Sequence, residues 1–486
     1  MKTLTGYVYY PDSLEEADGI TYFLVRSEDT NEKYLGVMGN PDEFQGGQGI
    51  AMDGGAGTHL FPLTHENAAV LRQRLPWLRP QPLGLQTTAG FGDRLGLATP
   101  GHVSAMESAI SIKTQIAPIF AQQSVRENAR TLRTPQEVLD DAAWGVFQTG
   151  WRLPWGADAD HLKTPADLDS FFDAGFTFFT IDPGDHVDNA AQNDTITTLR
   201  EKVKTLPWEN LNSTLEEMTR RYISQTCTIE DFTLTFSEES LLRALAKYGR
   251  AIAHTIKMAN HLTSRSGGTV YDLEVSVDET ETPTSAEEHF FIANELKRLG
   301  VRWVSMAPRF VGRFEKGVDY IGDLSQFEAD FARHAAIARY FGNYRLSLHS
   351  GSDKFSIYTI ASRQARGLLH LKTAGTSYLE ALRVIAQVNP QLFREILDLA
   401  IERYETDRAS YHVSASLANV QDPRTLSNPQ LSTLLDQFDA RQVFHVTFGA
   451  ALDRFGAQIM ETLRGNENSY DQVLTAHFKK HLESLF

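Results

Sequence analysis

The chain has 486 residues and a formal net charge of −16, with 42% hydrophobic and 22% charged residues. This balance is typical of a soluble globular protein and excludes a disordered or fibrous chain. Its negative charge disfavours nucleic acid and membranes as partners, and the single cysteine, Cys227, excludes disulfides and thiolate metal sites. No apolar run is long enough to span a membrane and no signal-peptide pattern opens the chain, so we predict a cytoplasmic enzyme.

The first region, residues 1–82, is predicted to be small, rich in β-structure and closed by a linker. The segments 7–10 and 20–25 alternate as half-buried strands do. Pro76, Pro80 and Pro82 then stiffen the connection to the next region.

Residues 83–426 repeat one pattern, in which a short apolar run ends in a polar cluster and a segment with helical spacing follows. Eight such runs occur, at 91–97, 116–120, 152–157, 176–181, 270–277, 301–306, 344–348 and 367–371. Strands that alternate with helices indicate a parallel sheet, and eight of them favour the α/β class and a closed (β/α)8 TIM-like barrel. An open, doubly wound sheet is the alternative architecture.

Two segments lie outside this repeat. The connection between the fourth and fifth runs is long, and residues 190–266 are predicted to be a helical insertion that walls one side of the barrel mouth. Residues 427–486 are predicted to be a C-terminal helical extension that packs beneath or beside the barrel, or between subunits. A homo-oligomer is therefore compatible with the sequence.

In a barrel of this class, chemistry takes place where the carboxyl ends of the strands meet. After the third run, Asp160 directly precedes His161, so the histidine is available to a metal while the aspartate handles a substrate proton. The fifth run turns Glu274 inward and the seventh turns His349 inward. A buried carboxylate needs a cation. We therefore predict that His161, Glu274 and His349 bind a divalent transition metal, with zinc first and nickel, cobalt or manganese as alternatives.

The other polar residues at the strand ends are predicted to handle the substrate. Asp160, Asp182 and Lys372 are the candidate catalytic groups. The candidate substrate-binding residues are Gln122, Gln123, Ser124, Lys163, His186, Arg309, Lys354 and His370. Three alternatives stay open: Glu274 forms an ion pair with Lys372 or Arg345, His186 or His370 completes the metal shell, and Ser124 is only a helix N-cap.

The sequence resembles the tagaturonate epimerase family of hexuronate catabolism. The resemblance rests on seven motifs between residues 90 and 385, namely GFGDRLGLATPGH (90–102), PIFAQQSVREN (118–128), GADADHLKT (156–164), TIDPGDHV (180–187), YDLEVSVDETETPT (271–284), LSLHSGSDKFS (346–356) and HLKTAGTSYLEALR (370–383). It implies a metal-dependent barrel that interconverts the keto uronates tagaturonate and fructuronate. Some relatives also act on the neutral keto sugars fructose and tagatose.

A shorter likeness points to the class II, zinc-dependent aldolase barrels. The Asp-His pair at 160–161 and the segment Leu-His-Ser-Gly-Ser at 348–352 are similar to that group. There the histidine of the pair binds the metal and the preceding aspartate moves a proton, which suggests a mechanism for this chain.

The two keto acids differ at a hydroxyl carbon that is β to the ketone, so its hydrogen is not acidified by the carbonyl. Retro-aldol cleavage, with Asp160 as base, rotation of the aldehyde and re-formation of the bond, avoids this difficulty. Stepwise enolisation with Glu274 or Asp278 as base is the rival route. The alternatives in function are an aldolase or isomerase acting on a related sugar acid, and a sugar-binding barrel without catalysis.

Overall fold

The computed structural model describes residues 5–50, 57–110, 116–223, 225–373 and 375–485. The N-terminal part is an antiparallel sheet with the strand order β1-β2-β3-β5-β4. Its strands are β1 (Tyr7–Ala17), β2 (Ile20–Ser27), β3 (Lys33–Met38), β4 (Gln48–Ile50) and β5 (Thr58–Pro62). Asp18 and Gly19 both have positive φ, 52° and 76°, as the two-residue turn between β1 and β2 requires.

The central domain is a closed barrel of parallel strands, which confirms the predicted fold class and excludes the open sheet. Its eight strands are β6 (Thr87–Gly92), β7 (Ile116–Ser124), β8 (Gly156–Leu162), β9 (Phe178–Ile181), β12 (Asp272–Ser276), β13 (Ser305–Ala307), β14 (Arg345–Leu348) and β15 (Leu369–Lys372). They follow one another round the barrel in chain order, and β15 closes on β6. All eight carboxyl ends therefore open on one mouth.

The helices occupy the outside of the barrel and the two ends of the chain. They are α1 (His65–Arg74), α2 (Thr99–Ile110), α3 (Val125–Thr131), α4 (Pro135–Thr149), α5 (Pro165–Ala174), α6 (Ile196–Lys204), α7 (Leu215–Tyr222), α8 (Glu238–Ser266), α9 (Ala286–Arg298), α10 (Leu324–Tyr340), α11 (Phe355–Gln364), α12 (Thr376–Val388), α13 (Pro390–Asp407), α14 (Phe438–Val446), α15 (Phe448–Gly465) and α16 (Glu467–Glu483). Each described helix is too short or too polar to cross a lipid bilayer.

Three of the predicted strands are misplaced. The first barrel strand is 87–92 rather than 91–97, the third is 156–162 rather than 152–157, and the sixth is 305–307 rather than 301–306. The prediction followed apolar side chains, whereas these strands turn small or acidic residues into the barrel. A Cβ at Gly90 would lie 2.5 Å from Gln122 Nε2, so glycine leaves room for the Gln122 amide inside the barrel.

Residues 190–266, predicted as a helical insertion beside the barrel mouth, contain further elements. It includes a hairpin of β10 (Thr226–Ile229) and β11 (Phe232–Thr235), which a purely helical segment would lack. It ends with α8, which packs between α5 and α9 and so completes the helical ring. At the C-terminus, α16 packs against α2 and α12 beside the barrel.

Candidate active site

A buried lysine lies at the centre of the barrel mouth. Lys372 Nζ is 3.0 Å from Asp158, 2.6 Å from Asp160 and 2.9 Å from Glu274. Thr180 Oγ1 is the fourth oxygen, 2.8 Å away. Burial alone would lower the pKa of Lys372, but the three carboxylates raise it, so the ammonium stays charged. Strands β8, β9, β12 and β15 thus supply one connected charge network.

His349, which follows β14, has a carboxylate at each ring nitrogen. Its Nε2 lies 2.7 Å from Glu274 and its Nδ1 lies 3.1 Å from Asp278. Burial opposes protonation, yet Asp278 and Glu274 raise the pKa of His349 to about 9. The imidazole is therefore held in one orientation from both sides.

His161 reaches the same place because β8 is irregular there. The register between β8 and β9 shifts between Ala159 and Leu162, and His161 has a φ of 54°. Neighbouring side chains of a regular strand point to opposite faces, but here both Asp160 and His161 face the mouth. His161 Nδ1 lies 3.2 Å from Asp182. Burial would lower the pKa of His161, but Asp160 and Asp182 raise it to about 10.

The donor set suits a divalent transition metal. One ligand atom each from Asp160, His161 and His349 lie within 4.8 Å of one another. The second nitrogen of His161 contacts Asp182, which is the usual arrangement for a metal-binding histidine. Two imidazoles and a carboxylate favour zinc-like ions over magnesium.

Glu274 has a different position from the one expected of a third ligand. One of its oxygens contacts Lys372, His349 and Thr180, and the other accepts from Ser305. The ion pair with Lys372, the alternative raised from the sequence, is present in the structure. Asp160 is the carboxylate with an oxygen within 4.8 Å of a nitrogen of each histidine, and the assignment of Glu274 as a metal ligand stays a prediction.

Three predicted substrate-binding residues make structural contacts instead. Lys354 Nζ donates to the backbone carbonyls of residues 315, 318 and 352, and burial lowers the pKa of Lys354 to about 7. Ser124 accepts from the Glu127 amide and caps α3. His370 lies deeper in the barrel, where Nδ1 is 2.7 Å from Thr88 Oγ1.

Four other predicted substrate-binding residues lie either inside the barrel beside the charge network or nearer the surface. Gln122 Nε2 donates to Asp158 at 2.9 Å, inside the barrel. Gln123 is buried, and its amide has no hydrogen-bond partner among the described residues. His186 stacks on His254 with 4.1 Å between the ring centroids, and Lys163 Nζ contacts Asp185 at 2.7 Å, nearer the surface.

A cavity of about 270 Å³ extends outward from His349 and Asp278. The predicted residue Arg309 lines it, and so do Arg126, Lys316 and Tyr411, which come from other loops. The sequence pattern does not point to Lys316 or Tyr411, because neither directly follows a barrel strand. Lys316 lies in the long loop between β13 and α10, and Tyr411 lies in the segment after α13. Asp158 had a signal that was missed: it is two residues before Asp160 in an alternating strand.

Comparisons with known proteins show the family and the overall fold of the chain. Residues 10–485 match the model of a family described as UxaE, tagaturonate epimerase. The chain is 43% identical over 484 residues, 99% of this chain and 97% of the relative, to the tagaturonate/fructuronate epimerase of Thermotoga maritima. A native and a glycerol-bound crystal structure of fructuronate-tagaturonate epimerase UxaE from Cohnella laeviribosi are similar with a TM-score of 0.91 and 38% identity, over 99% of this chain and 96–97% of those chains.

Proposed function

Since the chain belongs to the tagaturonate epimerase family and is an isomerase-class enzyme, we propose that it interconverts tagaturonate and fructuronate by metal-dependent retro-aldol chemistry. The observation that carries this proposal is the convergence of Asp160, His161 and His349 at the barrel mouth beside the charged Lys372. The neutral pair D-fructose and D-tagatose, epimeric at carbon 4, are the corresponding substrates without a carboxylate.

The reaction balances without any redox partner. Counting from the hydroxymethyl carbon, the ketone is carbon 2 and the inverted carbon is carbon 4. Removal of the proton from the carbon-4 hydroxyl breaks the bond between carbons 3 and 4, and its electron pair passes into an enediolate on carbons 2 and 3. The aldehyde fragment rotates, carbon 3 attacks its other face, and the new alkoxide takes back the proton.

Asp160 is placed to hold that proton. Burial opposes ionisation, but the charges of His161 and Lys372 keep the pKa of Asp160 below its usual range, so the carboxylate is ionised before the proton arrives. Lys372 Nζ, 2.6 Å from Asp160, stabilises this ionised form and so favours return of the proton to the new alkoxide. Asp182 and Glu274 orient His161 and His349.

His161 and His349 would hold the metal through their ring nitrogens, and the Asp160 carboxylate would lie beside it and take the substrate proton. A divalent ion there supplies Lewis-acid stabilisation of negative charge on the oxygen of carbon 2. When it is bound, the carboxylates around the two histidines keep the rings in place.

The experiment follows the purified protein with tagaturonate in deuterated water by NMR. We expect fructuronate to form without carbon-bound deuterium, because no carbon–hydrogen bond breaks, and we expect chelation to stop turnover and zinc to restore it. Deuterium at carbon 4, the carbon that is inverted, would instead assign the reaction to stepwise enolisation with Glu274 or Asp278 as base. Net accumulation of three-carbon products would make the protein an aldolase.

A further inference from the structure

The outer cavity contains a lysine without an acidic partner. Lys316 Nζ donates to Ser350 Oγ at 2.6 Å, next in sequence to His349. Among the described residues, no carboxylate forms an ion pair with this ammonium group. Burial lowers the pKa of Lys316 and the charge of Arg126 lowers it further, while the carboxylates at 279, 127 and 278 partly oppose this from beyond ion-pair distance. An anion in the cavity would therefore be stabilised by Lys316.

Two arginines of the same cavity keep unused donors. Arg309 donates to the backbone carbonyl of Thr280, but its buried Nε has no hydrogen-bond partner in the described part of the chain. Arg126 is 3.2 Å from Glu279, and its Nε also lacks a hydrogen-bond partner there. Their guanidinium groups suit a carboxylate, which accepts from two donors at once.

The charges lining the cavity do not cancel. Four cations, Arg126, Arg309, Arg313 and Lys316, face three acids, at 278, 279 and 315. Arg126 pairs with Glu279, Arg313 with Glu315 and His349 with Asp278. Within the described residues, Lys316 and Arg309 are therefore the lining cations without an ion pair. This surplus stands out in a chain with a net charge of −16.

We propose that Lys316 and Arg309 bind the substrate carboxylate and so select keto uronates over neutral ketohexoses. This inference rests on the proposed function and deepens it, because the cavity that holds Lys316 is also lined by His349 and is continuous with the candidate active site. Lys316 is a specificity-determining residue in this assignment, and Arg126 supports it from the opposite loop.

After cleavage, the two substrate fragments are held by different parts of the site. The aldehyde fragment consists of carbons 4 to 6 and therefore carries the carboxylate, while the enediolate fragment stays beside His161 and His349. A carboxylate held by Lys316 lets the aldehyde rotate about a fixed end and prevents its loss to water. Without the anchor, the three-carbon hydroxy-oxo acid and dihydroxyacetone would escape.

The first test compares K316M with K204M, a matched change of an exposed lysine outside the cavity. We expect K316M to lower kcat/KM for tagaturonate about 10–100-fold, the effect of losing one hydrogen bond to a charged group. On D-tagatose the change in kcat/KM stays within about threefold. With tagaturonate, K316M releases more of the three-carbon acid, which is trapped as its hydrazone. An equal loss on both substrates, or no loss on tagaturonate, overturns the assignment.

The second test does not depend on turnover. Calorimetry measures the binding of D-gluconate, a linear sugar acid without a ketone, and of the neutral D-glucitol. We expect the wild type to prefer D-gluconate, K316M and R309M to lose that preference, and K204M to keep it. If D-gluconate binds through Lys316 although tagaturonate is not epimerised, the proposed function fails and the anion site stands. If epimerisation occurs but D-gluconate has no advantage, the anion site is wrong.

Discussion

Two groups of one aspartate and two histidines in this protein have the same spacing of donor atoms. In the barrel mouth they are Asp160, His161 and His349, and beside the barrel they are Asp353, His477 and His481. Both groups keep their ligand atoms within 4.8 Å, and both are largely buried. By distance alone, either would hold a metal.

The partners of the side chains separate the two groups. Around Asp353 two contacts disfavour a cation: Arg441 lies 2.9 Å away, and the Asp353 amide donates to His481 Nε2 at 3.0 Å. In the part of the chain that the structure describes, only His477 has a further carboxylate, with Glu380 3.4 Å from its Nδ1. The other nitrogen of His481 lies 3.0 Å from the backbone carbonyl of His477. Both nitrogens are therefore occupied, and the group fastens α16 to the loop that follows β14.

In the mouth, by contrast, both histidines have further carboxylates as partners. Asp182 faces His161, while Glu274 and Asp278 face His349. Carboxylates can share a cation with the rings that they orient, whereas a backbone amide and a guanidinium group cannot. The comparison teaches that donor spacing does not define a metal site unless the second contacts also accept positive charge.

The largest effect is expected from D160N, which keeps the shape of the side chain but removes the base. Epimerisation should fall by about 10³-fold, within the range for loss of a general acid–base group. Steady-state kinetics with tagaturonate checks this, and D173N, on the exposed end of α5, is the matched control. An active D160N enzyme would remove Asp160 from the proposed role.

Metal affinity should separate the two groups next. H161A and H349A are each expected to weaken zinc binding by at least about 100-fold, because they delete ligands rather than their supports. H477A should bind zinc as the wild type does. Competition with a chromogenic chelator gives these affinities, and a loss of zinc in H477A but not in H161A would reverse the comparison.

Substitutions in the group around Asp353 should lower the free energy of unfolding. R441M removes the cation beside Asp353, and breaking a buried pair costs about 3 kcal/mol in the free energy of unfolding. R424M breaks a fully exposed pair with Asp422 and should cost much less, because solvent screens that pair. Urea denaturation measures both, and the zinc affinity of R441M should not change.

The smallest expected effect is a loss of folding stability at acidic pH that depends on His481. Burial, followed by the charge of His477, lowers the pKa of His481 to about 3 from its ordinary 6.5, so the folded state holds a neutral ring. Between these values the unfolded chain binds the extra proton, and stability falls as the pH is lowered through 6.5. H481Q should remove about 1–2 kcal/mol of the loss between pH 7 and pH 5.

Urea denaturation at pH 5, 7 and 8 measures the acid effect. The difference between wild type and H481Q should be constant from pH 7 to 8 and shrink toward pH 5. A constant difference over the whole range would mean that His481 does not carry the acid sensitivity.

Much of the fold follows from the sequence, because alternation of apolar runs with helical segments is a local property of the chain. The order of eight strands and the position of Asp160 and His161 near a strand end could be predicted in this way. The limits of β6 and β8 could not, since their inward residues are small or acidic and lower the apolar signal.

The candidate site was only partly predictable for a related reason. Asp160, His161 and His349 belong to residue types that reveal their chemistry at strand ends. Lys354 is also an ionisable residue that follows a strand, yet its ammonium group donates hydrogen bonds to backbone carbonyls. A sequence gives the type of a side chain but not the direction in which a loop aims it.

By itself, the sequence determined the barrel and the kinds of ionisable groups at its strand ends, because periodicity and residue type are read along the chain. Only the tertiary structure decided which of those groups share partners. Lys316 meets Ser350, and His481 meets Asp353, across 34 and 128 residues. Contacts between such distant segments depend on how the loops and terminal helices pack, which no local pattern encodes.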